Sequence, residues 1–396
     1  MPGVPGAPGA PGASGALEAR ERGVLRVVRP QTPNQLHEWL RCVLGVEVPR
    51  APTEPGSSAP FDYLCHAFFE GAAPESPDGV VWANRGGGKT FYAAVATLLD
   101  LAFKPGIEVR ILGGSLEQSG RAYEHLRRLF EREEMRGLVD GAITERRLRL
   151  RNGSRAEILA QSEASVRGTR PQKLRCDEVD LFDPEVWEAA QLTTRSRVCG
   201  EGAGAVLVRG AVEAIGTMHR PRGLMASLTR AGNGRRVFRW GFVDVLERCP
   251  QERACAACPL WDECAGRAKS PSRARTGAGH LRIDDACAMK ARAGRGAWEA
   301  EMLCRRPVAR DAVYPEFDPA LHVSPFDPPL LERGGRPGGA SGGASGGASM
   351  TVTAAPALMR TLPSMSAICT GAGACPNRTV VVETVLSDSR SKIVRE

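Results

Sequence analysis

The sequence predicts an α/β fold with a mainly parallel sheet, followed by a small cysteine-rich segment and a low-complexity tail. The first observation is an alternation of short apolar strands and helices at residues 80–82, 90–102, 107–112 and 117–131. Such alternation is typical of a parallel sheet whose strands are joined by crossover helices. The second observation is a cluster of four cysteines within residues 249–264, and the third is a repeat of glycine, alanine and serine that begins at residue 338.

Composition and charge limit the class of protein. The 396 residues are 42% hydrophobic and 25% charged, which is enough to bury a sizeable core and to form two domains. Lys and Arg outnumber Asp and Glu by 53 to 45, a balance that suits a polyanionic partner without proving one. No run of 18 apolar residues and no secretory signal is present, so we expect a cytoplasmic protein without a membrane span. In that reducing compartment a cysteine cluster favours a metal site over disulfides.

Low-complexity stretches and loops divide the chain. Residues 3–17 repeat a triplet that starts with Gly, but five repeats are too few for a triple helix and predict a disordered arm. The tetrad G-G-A-S recurs three times between residues 338 and 349 and predicts a flexible linker. The predicted segments are a disordered arm at 1–20, a helical lead-in at 21–78, the central α/β domain at 79–245, the cysteine-rich segment at 246–300, the start of a further domain at 301–330, and a linker with a disordered tail at 331–396.

The strongest motif is A-N-R-G-G-G-K-T at residues 83–90, between an apolar strand and a predicted helix. Glycines in this position let backbone N–H groups curl around phosphate oxygens at a helix N-terminus. Lys89 can reach the β- and γ-phosphates, and the Thr90 hydroxyl can bind Mg²⁺. The motif therefore predicts a P-loop (Walker A) that binds ATP and Mg²⁺, although Ala83 stands where the usual pattern has Gly. The predicted nucleotide-binding residues are Gly86, Gly87, Gly88, Lys89 and Thr90.

Two later strands supply the other groups that a P-loop enzyme needs. The sequence L-R-C-D-E places Asp177 and Glu178 at the end of an apolar strand. We expect Asp177 to hold the Mg²⁺ shell and Glu178 to orient and deprotonate the attacking water. A third strand at residues 212–215 ends near Thr217, which should face the γ-phosphate because the carboxyl ends of parallel strands line the ligand crevice. A hairpin with the turn Asn152-Gly153 is predicted between these elements.

The motifs R-G-G-G-K-T, R-G-T-R before C-D-E, and G-T-M-H-R-P-R-G-L-M together resemble the large terminase subunit of tailed bacteriophages and gene-transfer agents, over about residues 61–318. The resemblance implies an ATP-driven motor that packages double-stranded DNA into a procapsid, with a P-loop ATPase of the additional-strand type. It implies that Arg85 senses or stabilises the γ-phosphate and that Thr217 belongs to the coupling motif. It also implies partners: the portal of the procapsid, the small terminase subunit, and further copies of the chain on the portal, in the bacterial host cytoplasm.

Four cysteines form the spacing C-x5-C-x2-C-x5-C: Cys249, Cys255, Cys258 and Cys264. Four thiolates brought into a tetrahedron suit a structural Zn²⁺ ion. The spacing C-x2-C-x5-C within the cluster is also seen where three of four cysteines hold an iron–sulfur cluster, so zinc, an iron–sulfur cluster and no metal all stay open. Either centre is expected to be structural, since four protein ligands leave no open position for a substrate. Cys287 and Cys304 lie outside the spacing and are expected to be buried or incidental thiols.

Two arginine-rich stretches without carboxylates carry much of the excess positive charge. They contain Arg220, Arg222, Arg230, Arg235, Arg236 and Arg239, and then Arg267, Lys269, Arg273, Arg275 and Arg282. They could contact nucleic-acid phosphates without regard to sequence, or they could form a solvated basic face.

Two alternatives to the packaging motor remain open at this stage. A metal-containing DNA helicase or repair ATPase would need a second motor domain, whose motifs are not found. A decayed terminase fragment would bind DNA or a procapsid without ATP turnover. Nuclease activity, which the resemblance would imply, is expected to be absent because residues 328–396 contain only four acidic side chains and much linker. By the resemblance, residues 301–330 are therefore expected to be the start of a truncated nuclease domain.

Overall fold

The computed structural model describes residues 28–70, 76–160, 162–202, 205–270 and 279–308, together with the backbone of two short strands near the C-terminus. The chain divides into two compact units, residues 1–322 and 323–396. The predicted arm at residues 1–20 lies outside the described residues. None of the helices in the described part combines the length and apolar character that a membrane span requires.

The predicted α/β fold with a mainly parallel sheet is confirmed. The strands of the first unit are β1 (Gly79–Ala83), β2 (Glu108–Gly113), β3 (Arg147–Arg149), β4 (Arg155–Leu159), β5 (Lys173–Asp177), β6 (Arg197–Cys199), β7 (Val206–Val208), β8 (Ala211–Gly216) and β9 (Arg236–Trp240). Seven of them form one sheet in the order β3-β4-β2-β5-β8-β1-β9, and β6 and β7 form a separate antiparallel pair. Every pairing in the large sheet is parallel except that of β3 with β4.

Helices surround the sheet. They are α1 (Pro33–Leu44), α2 (Pro60–Phe69), α3 (Lys89–Phe103), α4 (Leu116–Glu131), α5 (Glu133–Arg136), α6 (Glu163–Arg167), α7 (Pro184–Ala190), α8 (Leu224–Leu228), α9 (Phe242–Val245), α10 (Trp261–Cys264), α11 (Ile283–Arg292) and α12 (Arg295–Glu301). Two 3₁₀ turns lie at Val179–Leu181 and Arg267–Lys269. In the predicted lead-in, α1 begins with a capping box between Thr32 and Gln35 and packs Trp39 against Phe103 of α3.

The core lies between the sheet and these helices. All five residues of β1 and all six of β8 are buried, as expected for strands covered on both faces. Helix α3 buries nearly its whole length, including a run of small alanines that lets it approach the sheet closely. Helix α4 buries only one face, and charged pairs such as Arg121 with Glu117 occupy the other. Helix α3 is therefore held against the sheet from Tyr92 onward.

The order of the central strands positions the candidate site. Strand β8 lies between β1 and β5, pairing in parallel with both. A strand is therefore inserted between the strand that leads into the glycine-rich loop and the strand that ends in Asp177. Because parallel strands end at the same edge of a sheet, Ala83, Gly216 and Asp177 reach that edge together.

A buried ion cluster lies beneath that edge. Arg175 of β5 donates to Asp100 Oδ2 at 2.6 Å, to Glu213 Oε2 at 3.0 Å and to Thr97 Oγ1 at 3.0 Å. Tyr63 of α2 donates to the same Glu213 carboxylate at 2.6 Å. All of these side chains are buried, so the cluster ties α2, α3, β5 and β8 together through fully desolvated charges.

The predicted hairpin forms but is part of the main sheet. Strands β3 and β4 pair antiparallel around the turn at Asn152-Gly153, where Gly153 has a φ of +81°. Strand β4 also pairs in parallel with β2, so the hairpin is the edge of the seven-stranded sheet and not a separate insertion. Sequence patterning could not show this, because alternation identifies a strand but not its second neighbour.

Residues predicted to begin a further domain at 301–330 are described only as far as residue 308. Residues 301–308 continue from the end of α12 within the first unit. The Met302 carbonyl accepts a hydrogen bond from the Phe242 backbone N–H, and Cys304 is buried. The rest of that prediction lies outside the described residues. In the segment 331–396, predicted as linker and disordered tail, the structure describes the backbone of two antiparallel strands, β10 (Val381–Thr384) and β11 (Ser391–Val394).

Candidate active site

The glycine-rich loop turns directly from β1 into α3. Gly86 and Gly88 have φ values of +71° and +77°, a conformation that favours glycine, and Gly88 is the residue that precedes α3. Gly87 donates its backbone N–H to the Asn84 carbonyl at 2.9 Å. A Cβ at Gly87 would lie 2.3 Å from Asn84 Oδ1, so this position has no room for a side chain. The loop therefore presents backbone N–H groups at a helix N-terminus, the arrangement that binds phosphate.

Side chains distant in sequence hold the loop in place. The Trp240 indole of β9 donates to the Gly87 carbonyl at 2.9 Å. The backbone N–H of Arg85 donates to the carbonyl of Glu301 on α12 at 2.8 Å. His280 Nε2 lies 2.8 Å from the Gly86 carbonyl. A cavity of about 610 Å³ opens beside the loop, between the end of α1, the start of α3 and His280. Its size lies in the range of small-ligand pockets.

Lys89 points toward the predicted catalytic carboxylate. Its Nζ lies 2.8 Å from Glu178 Oε1, and its side chain is only 11% exposed. This ion pair spans the space above the glycine-rich loop, where a phosphate group would compete with Glu178 for the ammonium. The predicted partnership of Lys89 with the β- and γ-phosphates is compatible with this placement.

Thr90 and Asp177 meet at the strand edge. Thr90 Oγ1 donates to Asp177 Oδ2 at 2.9 Å. Burial raises the pKa of Asp177 to about 6, against the opposing charge of Lys89. A hydroxyl and a carboxylate side by side offer the hard oxygen ligands that Mg²⁺ prefers, so these two residues fit the predicted metal shell.

Glu178 occupies a special backbone position. Its φ of +56° lies in the left-handed region, which costs a residue with a side chain about 1–3 kcal/mol. Burial alone would raise the pKa of Glu178, but His219 and Lys89 outweigh burial and lower it to about 2. Within the described residues, Glu178 Oε2 has no hydrogen-bond partner, and His219 Nε2 is 3.8 Å away. The carboxylate is therefore ionised and keeps one oxygen available to accept a proton.

Arg85 of the glycine-rich loop has an exposed side chain that pairs with Glu301. Its side chain is 76% exposed, and its guanidinium lies 3.1 Å from Glu301 Oε2. The other oxygen of Glu301 lies 3.9 Å from His219 Nδ1, and the carboxylates around His219 raise its pKa, Glu178 most strongly. Arg85, Glu301, His219, Glu178 and Lys89 thus lie in a row along the edge of the site, with basic and acidic side chains in alternation.

Thr217 is buried at the end of β8. Its hydroxyl donates to the Ala83 carbonyl at 3.1 Å, just before the glycine-rich loop begins. The predicted coupling residue therefore contacts the strand that leads into the loop, and any movement of β8 against β1 would act on this bond.

The sequence did not reveal several residues that lie at the site. His219 lies inside the quoted motif G-T-M-H-R-P, but the motif gave it no role. Glu301, His280 and Trp240 carry no motif, and they reach the loop only because the tertiary fold returns the chain to it. A lone charged or aromatic residue so far away along the chain gives no signal in one sequence.

The four clustered cysteines, Cys249, Cys255, Cys258 and Cys264, line one small cavity of about 20 Å³, which is enough space for one water molecule. Among the described residues, no group of three or more His, Cys, Asp or Glu side chains is placed closely enough to hold a metal ion. Burial and the neighbouring Cys258 raise the pKa of Cys287, which was expected to be incidental, and Arg253 lies 3.8 Å from its sulfur. Cys304 is a buried thiol that donates to the Trp240 carbonyl, as expected.

The basic side chains of the two arginine-rich stretches divide into those that pack within the fold and those that are exposed. Some members are bound within the fold: Arg235 contacts Gln191 and lies over Trp187, Arg239 lies over Trp82, Arg267 pairs with Glu54, and Lys269 donates to Gln251. The described members that are exposed are Arg220, Arg222, Arg230, Arg236 and Arg282. Arg273 and Arg275 lie outside the described residues. The basic face is therefore smaller than the sequence suggested.

Comparison with known proteins gives matches among solved structures alone. No protein-family model matches this sequence, and no curated protein matches it. The large terminase of a thermophilic bacteriophage, in complex with ADP, is 12% identical with a TM-score of 0.39, over 65% of this chain and 56% of that one. The HK97 bacteriophage large terminase is 14% identical with a TM-score of 0.42, over 65% and 53%. The ATPase domain of the Thermus phage P74-26 large terminase is 15% identical with a TM-score of 0.35, over 65% and 100%.

The chain therefore spans little more than half the length of the two full terminases. These proteins are large terminases, the family that the sequence motifs resemble. At such identities the likeness concerns the fold, and the functional conclusion below is drawn from the geometry of the site.

Proposed function

We propose that the chain hydrolyses ATP and that it does so as the motor of a DNA-packaging machine of the large terminase type. The observation that carries the proposal is the meeting of Lys89, Thr90, Asp177 and Glu178 above one glycine-rich loop. Lys89 and Thr90 begin α3 directly after the loop that follows β1, whereas Asp177 ends β5 and Glu178 follows it, and β8 separates the two strands. Each of the four side chains has the chemistry that phosphoryl transfer needs.

Each residue has a distinct role in this proposal. The loop N–H groups and Lys89 hold the phosphates, and Thr90 with Asp177 holds Mg²⁺. Bound there, Mg²⁺ would neutralise charge on the phosphate oxygens. Glu178 is ionised and has an unsatisfied oxygen, so it can accept the proton of an attacking water. Arrival of the phosphates would draw Lys89 away from Glu178 and free the carboxylate for this task.

Double-stranded DNA is the proposed partner because of the resemblance and the exposed arginines. Arg220 and Arg222 directly follow His219, whose ring lies 3.8 Å from Glu178. Phosphate contacts made by these arginines would be indifferent to sequence, as a packaging motor needs. The portal, the small terminase subunit and assembly of several copies on the portal are proposed on the resemblance alone.

The test is ATP hydrolysis by the purified chain with and without double-stranded DNA, with Lys89→Ala as the inactive control. Stimulation by DNA without separation of its strands supports the packaging motor. Strand separation would favour the helicase or repair alternative, and DNA binding without any turnover would favour the decayed fragment. Turnover that Lys89→Ala leaves unchanged would overturn the site assignment.

We also propose that Cys249, Cys255, Cys258 and Cys264 hold a structural Zn²⁺ ion or an iron–sulfur cluster. The support is that all four line the same small cavity, although the thiolates would have to draw closer together to bind an ion. Metal analysis with an absorption spectrum tests this. Colourless protein with one zinc per chain, or brown protein with iron and sulfide, distinguishes the two centres, and anaerobically purified protein without either metal would overturn both.

A further inference from the structure

His280 makes a directed contact with the glycine-rich loop. Its Nε2 lies 2.8 Å from the Gly86 carbonyl. A carbonyl oxygen only accepts, so Nε2 carries the hydrogen in this bond. The imidazole also lies against a second point of the loop, because a Cβ at Gly88 would come within 2.9 Å of its Cε1. The ring therefore packs on the loop where the loop leads into α3.

This bond fixes the peptide group that joins Gly86 to Gly87. The C=O and N–H of a trans peptide point in opposite directions. His280 holds the oxygen on one side, and on the other side the Gly87 N–H donates to the Asn84 carbonyl at 2.9 Å. Because a glycine on each side leaves a peptide group free to rotate, His280 selects one orientation that the loop residues alone would not impose.

The two adjacent peptide groups are held in the same manner. Asn84 Nδ2 donates to the Arg85 carbonyl at 2.9 Å. Trp240 Nε1 donates to the Gly87 carbonyl at 2.9 Å. His280 is thus the middle one of three side chains that hold three consecutive carbonyl oxygens. The N–H groups of the same peptides face the opposite direction, which suits a loop that binds phosphate through its backbone.

The cysteine-rich segment presents His280 to the loop. Backbone hydrogen bonds of 2.8 to 3.0 Å join residues 279–281 to residues 245–247. Beyond this pairing, the Ile283 N–H donates to Glu247 Oε1 at 2.8 Å. Ile283 also lines the small cavity of the four clustered cysteines. The packing of the cysteine-rich segment is therefore continuous with the contact between His280 and the loop.

We propose that His280 is a positioning residue for nucleotide binding and that the cysteine-rich segment acts on the glycine-rich loop through it. The inference rests on the proposed function, because it requires nucleotide in that loop. Without the imidazole donor the Gly86–Gly87 peptide group adopts further orientations, and the apparent affinity falls with the fraction of molecules that keep the competent one. Loss of one neutral hydrogen bond should weaken nucleotide binding about twofold to tenfold. Since Glu178 takes no part in this contact, kcat should stay the same.

Two substitutions separate the donor from the shape of the ring. His280→Phe keeps a planar ring and removes the donor, whereas His280→Gln places an amide N–H near the position of Nε2 without the ring. His280 is exposed, so either change carries little risk to folding. His66→Phe is the matched control. His66 Nε2 makes the same kind of bond, 3.3 Å from the Pro77 carbonyl, beside the start of β1 and not beside the loop.

The experiment measures KM and kcat for ATP hydrolysis and the dissociation constant of ADP on the full chain. His280→Phe should raise KM and the ADP constant about twofold to tenfold at unchanged kcat. His280→Gln should return both to within about twofold of wild type, and His66→Phe should leave them unchanged. Wild-type affinity in His280→Phe, a fall in kcat as large as the rise in KM, or no rescue by His280→Gln would overturn the inference. Wild-type protein that neither binds nor hydrolyses nucleotide would overturn the proposed function itself.

Glu247→Ala tests the part assigned to the cysteine-rich segment. The substitution removes the acceptor of the Ile283 N–H and loosens the chain that follows His280. It should raise KM and the ADP dissociation constant about twofold, and it should have no further effect in the His280→Phe background. An effect that persists in that background, or no effect in the otherwise wild-type chain, would show that the segment does not act through His280.

Discussion

Thr90 donates its hydroxyl hydrogen to Asp177 across 2.9 Å, although the two residues lie 87 positions apart in the chain. The bond exists because β8 separates β1 and β5 by only one strand, which brings the start of α3 beside the end of β5. A hydroxyl and a carboxylate in this contact supply the hard oxygen atoms that the proposed Mg²⁺ site needs. The order of the strands is thus the structural cause of the candidate site.

The first prediction separates binding from chemistry at the Lys89–Glu178 pair. Lys89→Ala removes the ammonium that holds the phosphates, so both nucleotide binding and hydrolysis should be lost. Glu178→Gln removes the proton acceptor but keeps the shape of the side chain, so hydrolysis should stop while nucleotide still binds. Turnover and binding of a fluorescent nucleotide measure the two properties, and wild-type turnover in either variant would contradict the assignment.

The second prediction concerns crowding in the glycine-rich loop. A Cβ at Gly87 would meet both the side chain and the carbonyl of Asn84, and the carbonyl cannot move away cheaply. We expect Gly87→Ala to strain the loop by about 1–3 kcal/mol and to weaken nucleotide binding roughly tenfold. Binding is measured by titration with ATP analogue.

Gly120 provides the control for that substitution. It lies within α4, and a Cβ there would meet nothing within 4 Å. Gly120→Ala should therefore stabilise the protein by about 0.5–1 kcal/mol through helix propensity and leave nucleotide binding unchanged. Equal nucleotide affinity in the two variants would show that the tight contact at Gly87 does not shape the binding site.

The parts of the site that could be predicted are those set by near neighbours in sequence. The loop at residues 83–90 was identifiable because a strand, a run of glycines and a helix must follow one another to bind phosphate. Asp177 and Glu178 were identifiable because they end an apolar strand. The periodicity that predicted these elements also located α3 and α4 to within a residue or two of their observed ends.

The rest depended on packing that one sequence does not reveal. Glu301 lies 216 positions from Arg85, and only the path of α12 across the first unit brings them together. The arginine-rich stretch was read as a basic face, yet Arg239 and Arg235 lie over tryptophan rings, because long side chains bury their stems against aromatic surfaces. Charge counting cannot distinguish such an arginine from one that faces solvent.

The third prediction tests the buried ion cluster. Arg175→Met would leave Asp100 and Glu213 without their shared guanidinium in a fully buried place. Removal of one partner from a buried ion pair costs about 3–5 kcal/mol, so the urea midpoint should fall sharply. Arg155→Met is the control, because its pair with Glu108 is half exposed and should be worth less than about 1 kcal/mol. A similar loss of unfolding free energy in both variants would contradict the prediction that the buried ion pair contributes more than the half-exposed one.

The last prediction concerns the link between Glu178 and His219. Asp180 lies in the 3₁₀ turn that follows Glu178, and its carboxylate accepts hydrogen bonds from three backbone N–H groups in the loop after β8 and the first turn of α8. The donors are His219 at 3.0 Å, Arg220 at 3.2 Å and Met225 at 3.1 Å. The loop approaches so closely that a Cβ at Gly223 would lie 2.3 Å from Asp180 Oδ1. This carboxylate therefore sets the distance between the catalytic turn and the ring of His219.

Asp180→Asn should disturb that distance, because an amide offers one acceptor oxygen and turns an NH₂ group toward backbone donors. Leaving at least one buried N–H unsatisfied costs about 1–3 kcal/mol. Since His219 helps to hold the Glu178 carboxylate, kcat should fall about tenfold, while nucleotide affinity, which depends on the glycine-rich loop, should change less.

Asp183→Asn is the matched control. Asp183 caps α7 through the Glu185 N–H, and Asn caps a helix as well as Asp does. Its variant should therefore keep wild-type turnover, and a loss of activity as large as that of Asp180→Asn, or an equal loss of binding in Asp180→Asn, would show that Asp180 does not act by positioning His219.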